Sequence, residues 1–149
     1  MTRRTLLRLT WFVFTLAWAL PVHQDGTRLP KGLPGWEAFR VAAAAVWPYE
    51  GVEYETWWGG ALSSLSAATN LVMLVSIVVR SYGRQVHRGI GAAAAAAFLV
   101  NAQWLFLTTE WTELRAGYYL WWLSFLALGC LGMATLQDAA PETVAVRAA

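Results

Sequence analysis

The sequence has little of what redox proteins and soluble enzymes depend on. It contains one cysteine, Cys130, which lies in an apolar run. A single cysteine excludes a disulfide, a zinc ribbon or a CxxC redox pair within one chain. Charged residues make up only 13% of the 149 residues, about half of the roughly 25% that is typical of soluble domains. This shortage, together with apolar runs of about 20 residues, places the chain among membrane proteins.

Basic residues and histidines are also too sparse for several other functions. No basic run appears apart from arginines at loop ends, so nucleic-acid binding is not expected. His23 and His87 fall at opposite ends of the predicted helices, so within one chain they cannot share a haem or a metal ion. Across a dimer, like histidines could still meet. No Ser-His-Asp motif is present, and the sequence predicts no catalytic residue, no metal ligand set and no cofactor.

Four long apolar segments dominate the chain, over residues 6–22, 58–79, 89–109 and 116–136. Each approaches the roughly 20 residues with which a helix crosses a bilayer core of about 30 Å. Because lipid offers no partner for backbone amides, each segment is expected to be helical. The sequence therefore predicts an all-α bundle of four transmembrane helices in one domain over 1–136. An outer loop over 23–57 and a disordered cytoplasmic tail over 137–149 complete this prediction.

The first apolar segment also has the charged start and apolar stretch of a signal peptide. No clear small-x-small cleavage site follows it, since the next residues are PVHQD from Pro21 onward. Trp11 and Trp18 are bulky for such a segment. We therefore expect it to be retained as the first helix of the bundle.

The distribution of charge predicts an orientation. With a cytoplasmic N-terminus, the inner side holds seven arginines and two acidic residues, a net charge of +5. The outer side then holds four basic and seven acidic residues, a net charge of −3, and the two values add to the stated +2. Arginine bias near the helix ends agrees with the positive-inside rule. Both termini are therefore predicted to be cytoplasmic, in a multi-pass protein of the bacterial inner membrane.

The outer loop contains a short amphipathic segment over residues 35–47. Trp36, Phe39 and Ala43 share one helical face, whereas Glu37 and Arg40 fall off it. The segment is too short to span, so it is expected to form a short helix, either in the membrane interface or packed over the bundle. Of the ten tryptophans, all except Trp11 map to the outer half of the predicted bundle or to its outer loops. This distribution predicts an aromatic layer beneath the long outer loop.

The second apolar segment carries two rows of small residues at four-residue spacing. The first row is Gly59, Ser63 and Ala67, and the second is Gly60, Ser64 and Ala68. Small residues let helices approach closely within lipid, where packing drives association. These rows, with Asn70 beside them, predict a helix-packing face.

Amide side chains fall near the middle of the predicted membrane. Asn70 and Asn101 lie at similar depth, given a rise of about 1.5 Å per residue, and Gln103 lies two residues further out. One interpretation is a hydrogen-bonded link between helices, worth about 0.6–2 kcal/mol. The alternative is a polar cavity lined by these three amides with Trp104 and Trp121. No Asp, Glu, Lys or Arg lies at this depth, which argues against a proton pump or an ion-coupled transporter.

Five carboxylates map to the predicted outer side, namely Glu50, Glu53, Glu55, Glu110 and Glu113. Oxygen ligands of this kind suit a cation, but their spacing lacks the order of a calcium-binding loop. Acidic residues outside also help to set the topology and solvate the rim of the bundle. We favour the solvated rim, with an outer cation site as the alternative.

Two motifs carry a resemblance to known proteins. The stretches GWEAF from Gly35 and GYYLWWLS from Gly117 are similar to stretches in small uncharacterised bacterial four-helix membrane proteins, and Thr69-Asn70-Leu71 resembles their polar interruption. This resemblance implies an inner-membrane location and no known activity. The stretch LVNAQWLF from Leu99 also resembles tryptophan-rich sensory proteins that bind porphyrin. Those have five helices and a Pro-Trp-Pro-rich first loop, so no ligand is carried over.

These observations predict a non-enzymatic structural or accessory subunit of a membrane assembly. It would sit in the lipid bilayer and pack through the small-residue face of its second helix, against its own copies or a larger membrane protein. Two alternatives remain open. One is a small pore or a protein that binds lipid or another hydrophobic ligand, and the other is a membrane enzyme subunit with a quinone-like or lipid substrate.

Overall fold

The computed structural model describes residues 2–24, 32–54, 56–107 and 113–134, and their fold is mostly helical, as predicted. The helices are α1 (Arg3–Ala19), α2 (Gly35–Ala42), α3 (Trp57–Ser81), α4 (Arg88–Asn101), α5 (Trp104–Leu107) and α6 (Ala116–Met133). Two short antiparallel strands, β1 (Pro21–His23) and β2 (Leu33–Pro34), lie between α1 and α2. The tail predicted over 137–149 lies outside the described residues.

Three described stretches are long and apolar enough to cross a membrane, which is compatible with a membrane protein. They are Trp57–Ser81, Arg88–Phe106 and Ala116–Met133. The first predicted span is not among them, because α1 has 17 residues and includes Arg3, Arg4 and Arg8. Four spans are therefore not shown, although α1 packs against α6 along the bundle.

Helix α3 has polar residues inside and apolar residues outside. Its buried face includes Ser63, Ser66, Thr69, Asn70 and Ser76. Its exposed large side chains include Leu65, Leu71, Leu74, Val75 and Val78. A soluble helix has the opposite arrangement, since water draws polar groups outward. Lipid removes that preference, so helices there meet through small and polar residues, and α3 has the pattern expected in a bilayer.

The third predicted helix, over 89–109, is divided in the structure. Helix α4 ends at Asn101, and α5 starts at Trp104 after a two-residue turn. Two side chains of α6 bond carbonyls in the last turn of α4: Trp122 Nε1 donates to Phe98 O, and the Tyr118 hydroxyl donates to Asn101 O, each over 2.8 Å. The amide of Leu105 bonds Ala102 O instead of Asn101 O. Contacts from α6 thus accompany the break.

The first predicted helix, over 6–22, ends in the structure at Ala19, and its last predicted residues belong to β1. The remaining strand residues fall in the segment predicted as outer loop. His23 also bridges to Leu114, and the amide of Arg115 donates to Val22 O over 3.1 Å. The strands therefore lie on the start of α6. Gly117 permits this approach, because a Cβ there would lie 2.6 Å from the carbonyl oxygen of Pro21.

The bundle has two distinct ends. The cap end carries β1, β2 and α2, together with the first turns of α3 and α6. The arginine end carries the first turns of α1 and the last turns of α3 and α6. There Arg3 Nη2 donates to Val86 O over 3.1 Å and to Leu131 O over 3.0 Å. This guanidinium therefore ties α1 to the α3–α4 turn and to α6.

Candidate functional site

A cavity of about 560 Å³ lies inside the cap end. It lies between α1, α2, α3 and α6, each of which contributes lining residues. Aromatic rings form much of its wall. These are Trp18, Phe39, Tyr54, Trp58, Trp104, Tyr118 and Trp121.

Helix α2 forms the roof of the cavity. It packs over the bundle, the second of the two placements expected from the sequence, with Phe39 against Trp18 at a ring-centroid distance of 5.3 Å. Trp36, on the same predicted face, is 53% exposed. Gly35 allows α2 to begin this close to α1, because a Cβ there would lie 2.5 Å from Ala17 O. The Tyr54 hydroxyl donates to the carbonyls that end α2, at Val41 and Ala42.

Asn70 and Trp121 form the floor of the cavity. Oδ1 of Asn70 accepts from Trp121 Nε1 over 2.8 Å, and its Nδ2 donates to Ala67 O over 2.9 Å. An amide has two donor hydrogens and an oxygen with two lone pairs, so each end of Asn70 keeps one position for a further partner. The floor therefore provides a hydrogen-bonding group at the base of a cavity with mostly aromatic walls.

Asn101 lies behind the cavity wall and is fully buried between α3 and α4. Its Oδ1 accepts from Ser66 Oγ over 2.6 Å, and its Nδ2 donates to Thr69 Oγ1 over 2.9 Å. Trp104 Nε1 donates to the same Ser66 hydroxyl over 3.0 Å. The alternative interpretation of the sequence placed five residues around a cavity. Of these, Asn70, Trp104 and Trp121 line the cap-end cavity, whereas Asn101 and Gln103 lie outside its lining. Gln103 donates to Leu62 O over 3.1 Å.

The small residues predicted as a packing face mostly point inward. Gly59, Ser63 and Ala67 line the cavity. In the second row, Gly60 approaches Tyr54, Ser64 bonds Ala42 O at 3.5 Å and Ala68 is exposed. Binding of another chain through these rows stays a prediction.

A further close helix contact, which the sequence reading missed, lies between α4 and α6. A Cβ on Gly132 would lie 2.5 Å from the Cα of Gly91, so the two backbones touch. The sequence signal that could have predicted this contact is the presence of Gly91 and Gly132 within apolar helices.

The predicted outer carboxylates are not brought together where the structure describes them. Glu53 lines the cavity, Glu50 is exposed, and Glu113 Oε2 lies 3.9 Å from His23 Nε2. Glu55 and Glu110 lie outside the described residues. Among the residues described, no group of three or more His, Cys, Asp or Glu could hold a metal ion. The outer cation site therefore stays a prediction.

The chemistry of the lining is nearly neutral. No Lys or Arg is among the described lining residues. The titratable His23 and Glu53 do line the cavity, and both lie in the segments of the cap end. Burial raises the pKa of the Tyr54 hydroxyl, and a hydrogen bond with Ser63 partly opposes this effect. Tyr54 is therefore a neutral donor at physiological pH. The arrangement suits a molecule that brings apolar surface and one or two uncharged polar atoms.

Comparison of the chain with protein-family models, curated proteins and solved structures finds no match. The resemblance of the Gly35 and Gly117 motifs to four-helix membrane proteins thus stays a prediction.

Proposed function

We propose that the chain is an integral membrane protein that binds a neutral apolar molecule in the cap-end cavity. The observation that carries this proposal is a chamber of about 560 Å³ walled by aromatic rings and ending on an amide. Ligand sites are commonly about 300–1,000 Å³, mostly apolar, with a few polar groups that orient the ligand. The cavity has this size and this composition.

The polar groups favour a lipid-like or quinone-like ligand. Asn70 can donate one N–H to a carbonyl or hydroxyl oxygen, and its Oδ1 can accept from a hydroxyl. The Tyr118 hydroxyl donates to Asn101 O and retains its capacity to accept. Without a described Lys or Arg in the lining, an anionic ligand has no counter-charge there, and transfer of its charge from water would be costly. A neutral ring or chain with one polar head fits best.

The charge distribution of the sequence supports a location in the inner membrane, with the cavity toward its outer side. In the proposed orientation both termini lie in the cytoplasm of a bacterium, and the cap end faces the outer side of the inner membrane. The exposed aliphatic face of α3 supports contact with lipid. A ligand could then reach the cavity from the outer leaflet, where aromatic side chains such as exposed Trp57 and Trp58 are concentrated.

Tryptophan fluorescence tests the proposal directly, because several tryptophans line the cavity. The protein in lipid nanodiscs is titrated with duroquinone, a neutral ring compound that quenches indole fluorescence. We expect saturable quenching in the wild type and in Ala68→Phe, whose new ring faces outward. Ala67→Phe places the ring in the cavity and is expected to remove the saturable part. Quenching that rises linearly and equally in all three proteins would refute ring binding in this cavity.

A further inference from the structure

A second cavity, of about 350 Å³, lies at the arginine end, away from the cap-end cavity. Helices α1 and α3 form it. Its apolar side chains are Leu7, Trp11 and Ile77, and its polar ones are Arg4, Arg8, Arg80 and Ser81. The cavity therefore combines an apolar floor with three guanidinium groups.

Two of the three arginines, Arg4 and Arg8, are placed unfavourably unless an anion joins them. Arg4 and Arg8 are four residues apart on α1, a spacing at which like charges repel. They also occupy its first two turns, near the positive end of the helix dipole, and the first turn of α1 has no acidic residue. In the described part of the chain, the one close pairing of basic and acidic groups joins His23 and Glu113 at the cap end.

We propose that Arg4, Arg8 and Arg80 bind the phosphate group of an anionic phospholipid. Guanidinium groups hold phosphate oxygens through paired, charge-assisted hydrogen bonds. Basic pockets between membrane helices recognise lipid headgroups in this way. The apolar floor takes the glycerol and the first carbons of an acyl chain, which a free phosphate ion lacks. The site is independent of the cap-end cavity, so either proposal can fail alone.

Native mass spectrometry tests this site on the full-length protein in a mild detergent. The probes are phosphatidylglycerol, phosphatidylcholine as the zwitterionic reference, and inorganic phosphate alone. Arg8→Gln and Arg80→Gln each remove one charge from the cavity. Arg84→Gln is the matched control, because Arg84 is exposed at the same end but does not line the cavity. Thermal melting of each variant confirms that it is folded.

We expect one tightly retained phosphatidylglycerol on the wild type and on Arg84→Gln. Arg8→Gln and Arg80→Gln should each bind it about tenfold more weakly, as expected for the loss of one charge-assisted hydrogen bond. Equal weakening by Arg84→Gln, or equal retention of phosphatidylcholine, would overturn the proposal by showing only general attraction. Displacement of the lipid by modest inorganic phosphate would overturn its lipid part and assign the site to a free phosphate.

Discussion

The indole Nε1 of Trp121 donates to Oδ1 of Asn70 over 2.8 Å, which joins α6 to α3 at the floor of the cap-end cavity. Further along the same helices, Met73 of α3 belongs to one buried core cluster with Phe125 and Leu128 of α6. Trp121 and Asn70 both line the cavity, so their bond forms part of its wall.

A double-mutant cycle measures this bond. Asn70→Leu leaves the Trp121 N–H without its acceptor, and Trp121→Phe removes the donor. The coupling free energy of the pair is expected to be about 0.6–2 kcal/mol, the range of hydrogen bonds between membrane helices. Unfolding free energies from steric trapping in bicelles supply the four values. Strictly additive single effects would show that the bond does not contribute to stability.

Asn101 should matter more for stability than Gln103, which follows it by two residues. Asn101→Leu leaves the Ser66 O–H without its acceptor and removes the donor to the Thr69 hydroxyl oxygen, in a fully buried position. Ser66 still accepts from Trp104, and Thr69 still donates to Ser66 O. We expect a loss of about 2–4 kcal/mol, because each unsatisfied buried group costs about 1–3 kcal/mol. Gln103→Leu, the control, removes one half-buried bond to Leu62 O and should cost about 1 kcal/mol. The same unfolding measurement compares them, and equal losses would contradict this ranking.

The contact of α4 with α6 predicts unequal effects for two glycines of α6. A methyl group on Gly132 would meet the Gly91 backbone at 2.5 Å, whereas on Gly129 it would meet Ala95 N at 3.3 Å. Gly132→Ala should therefore cost about 1–3 kcal/mol through overpacking, and Gly129→Ala distinctly less. Thermal melting in detergent checks the order. If Gly129→Ala is the more harmful, the helices are not closest at Gly132.

The raised pKa of Tyr54 predicts that the cap end becomes less stable at high pH. Burial raises the pKa of its hydroxyl above the ordinary 10.0, so the neutral form is favoured in the folded protein. Its contribution is full below the unfolded pKa and is lost as the pH rises through the folded value. Hydrogen exchange of α2 amides should therefore accelerate more steeply above pH 10.0 in the wild type than in Tyr54→Phe. The other tyrosines are common to both proteins, so parallel pH profiles would exclude this role.

Composition and periodicity predict the helical class and the regions of the long apolar helices. The short helix after Gly35 was also predictable, because Trp36, Phe39 and Ala43 recur at helical spacing. The break after Asn101 was not, since it accompanies contacts from Tyr118 and Trp122, which are distant in sequence. Local pattern carries no information about such partners.

Part of the candidate site could also be predicted. The alternative interpretation of the sequence placed Asn70, Trp104 and Trp121 around a cavity, together with Asn101 and Gln103, and the first three are among the residues that line the cap-end cavity. Tyr54, Phe39 and the inward direction of the small residues were missed, because they depend on where α2 and α3 pack. The accessory role suggested by the small-residue rows stays a prediction.

The most direct test of the central claim is native mass spectrometry of protein extracted gently from its native membrane, with solvent extraction of whatever it retains. The wild type and Ala68→Phe are expected to carry the same neutral, apolar molecule at one copy per chain. Ala67→Phe, folded by circular dichroism, should have lost it. Retention of the same molecule by Ala67→Phe, or a wild type that is free of ligand, would contradict a binding function for the cap-end cavity.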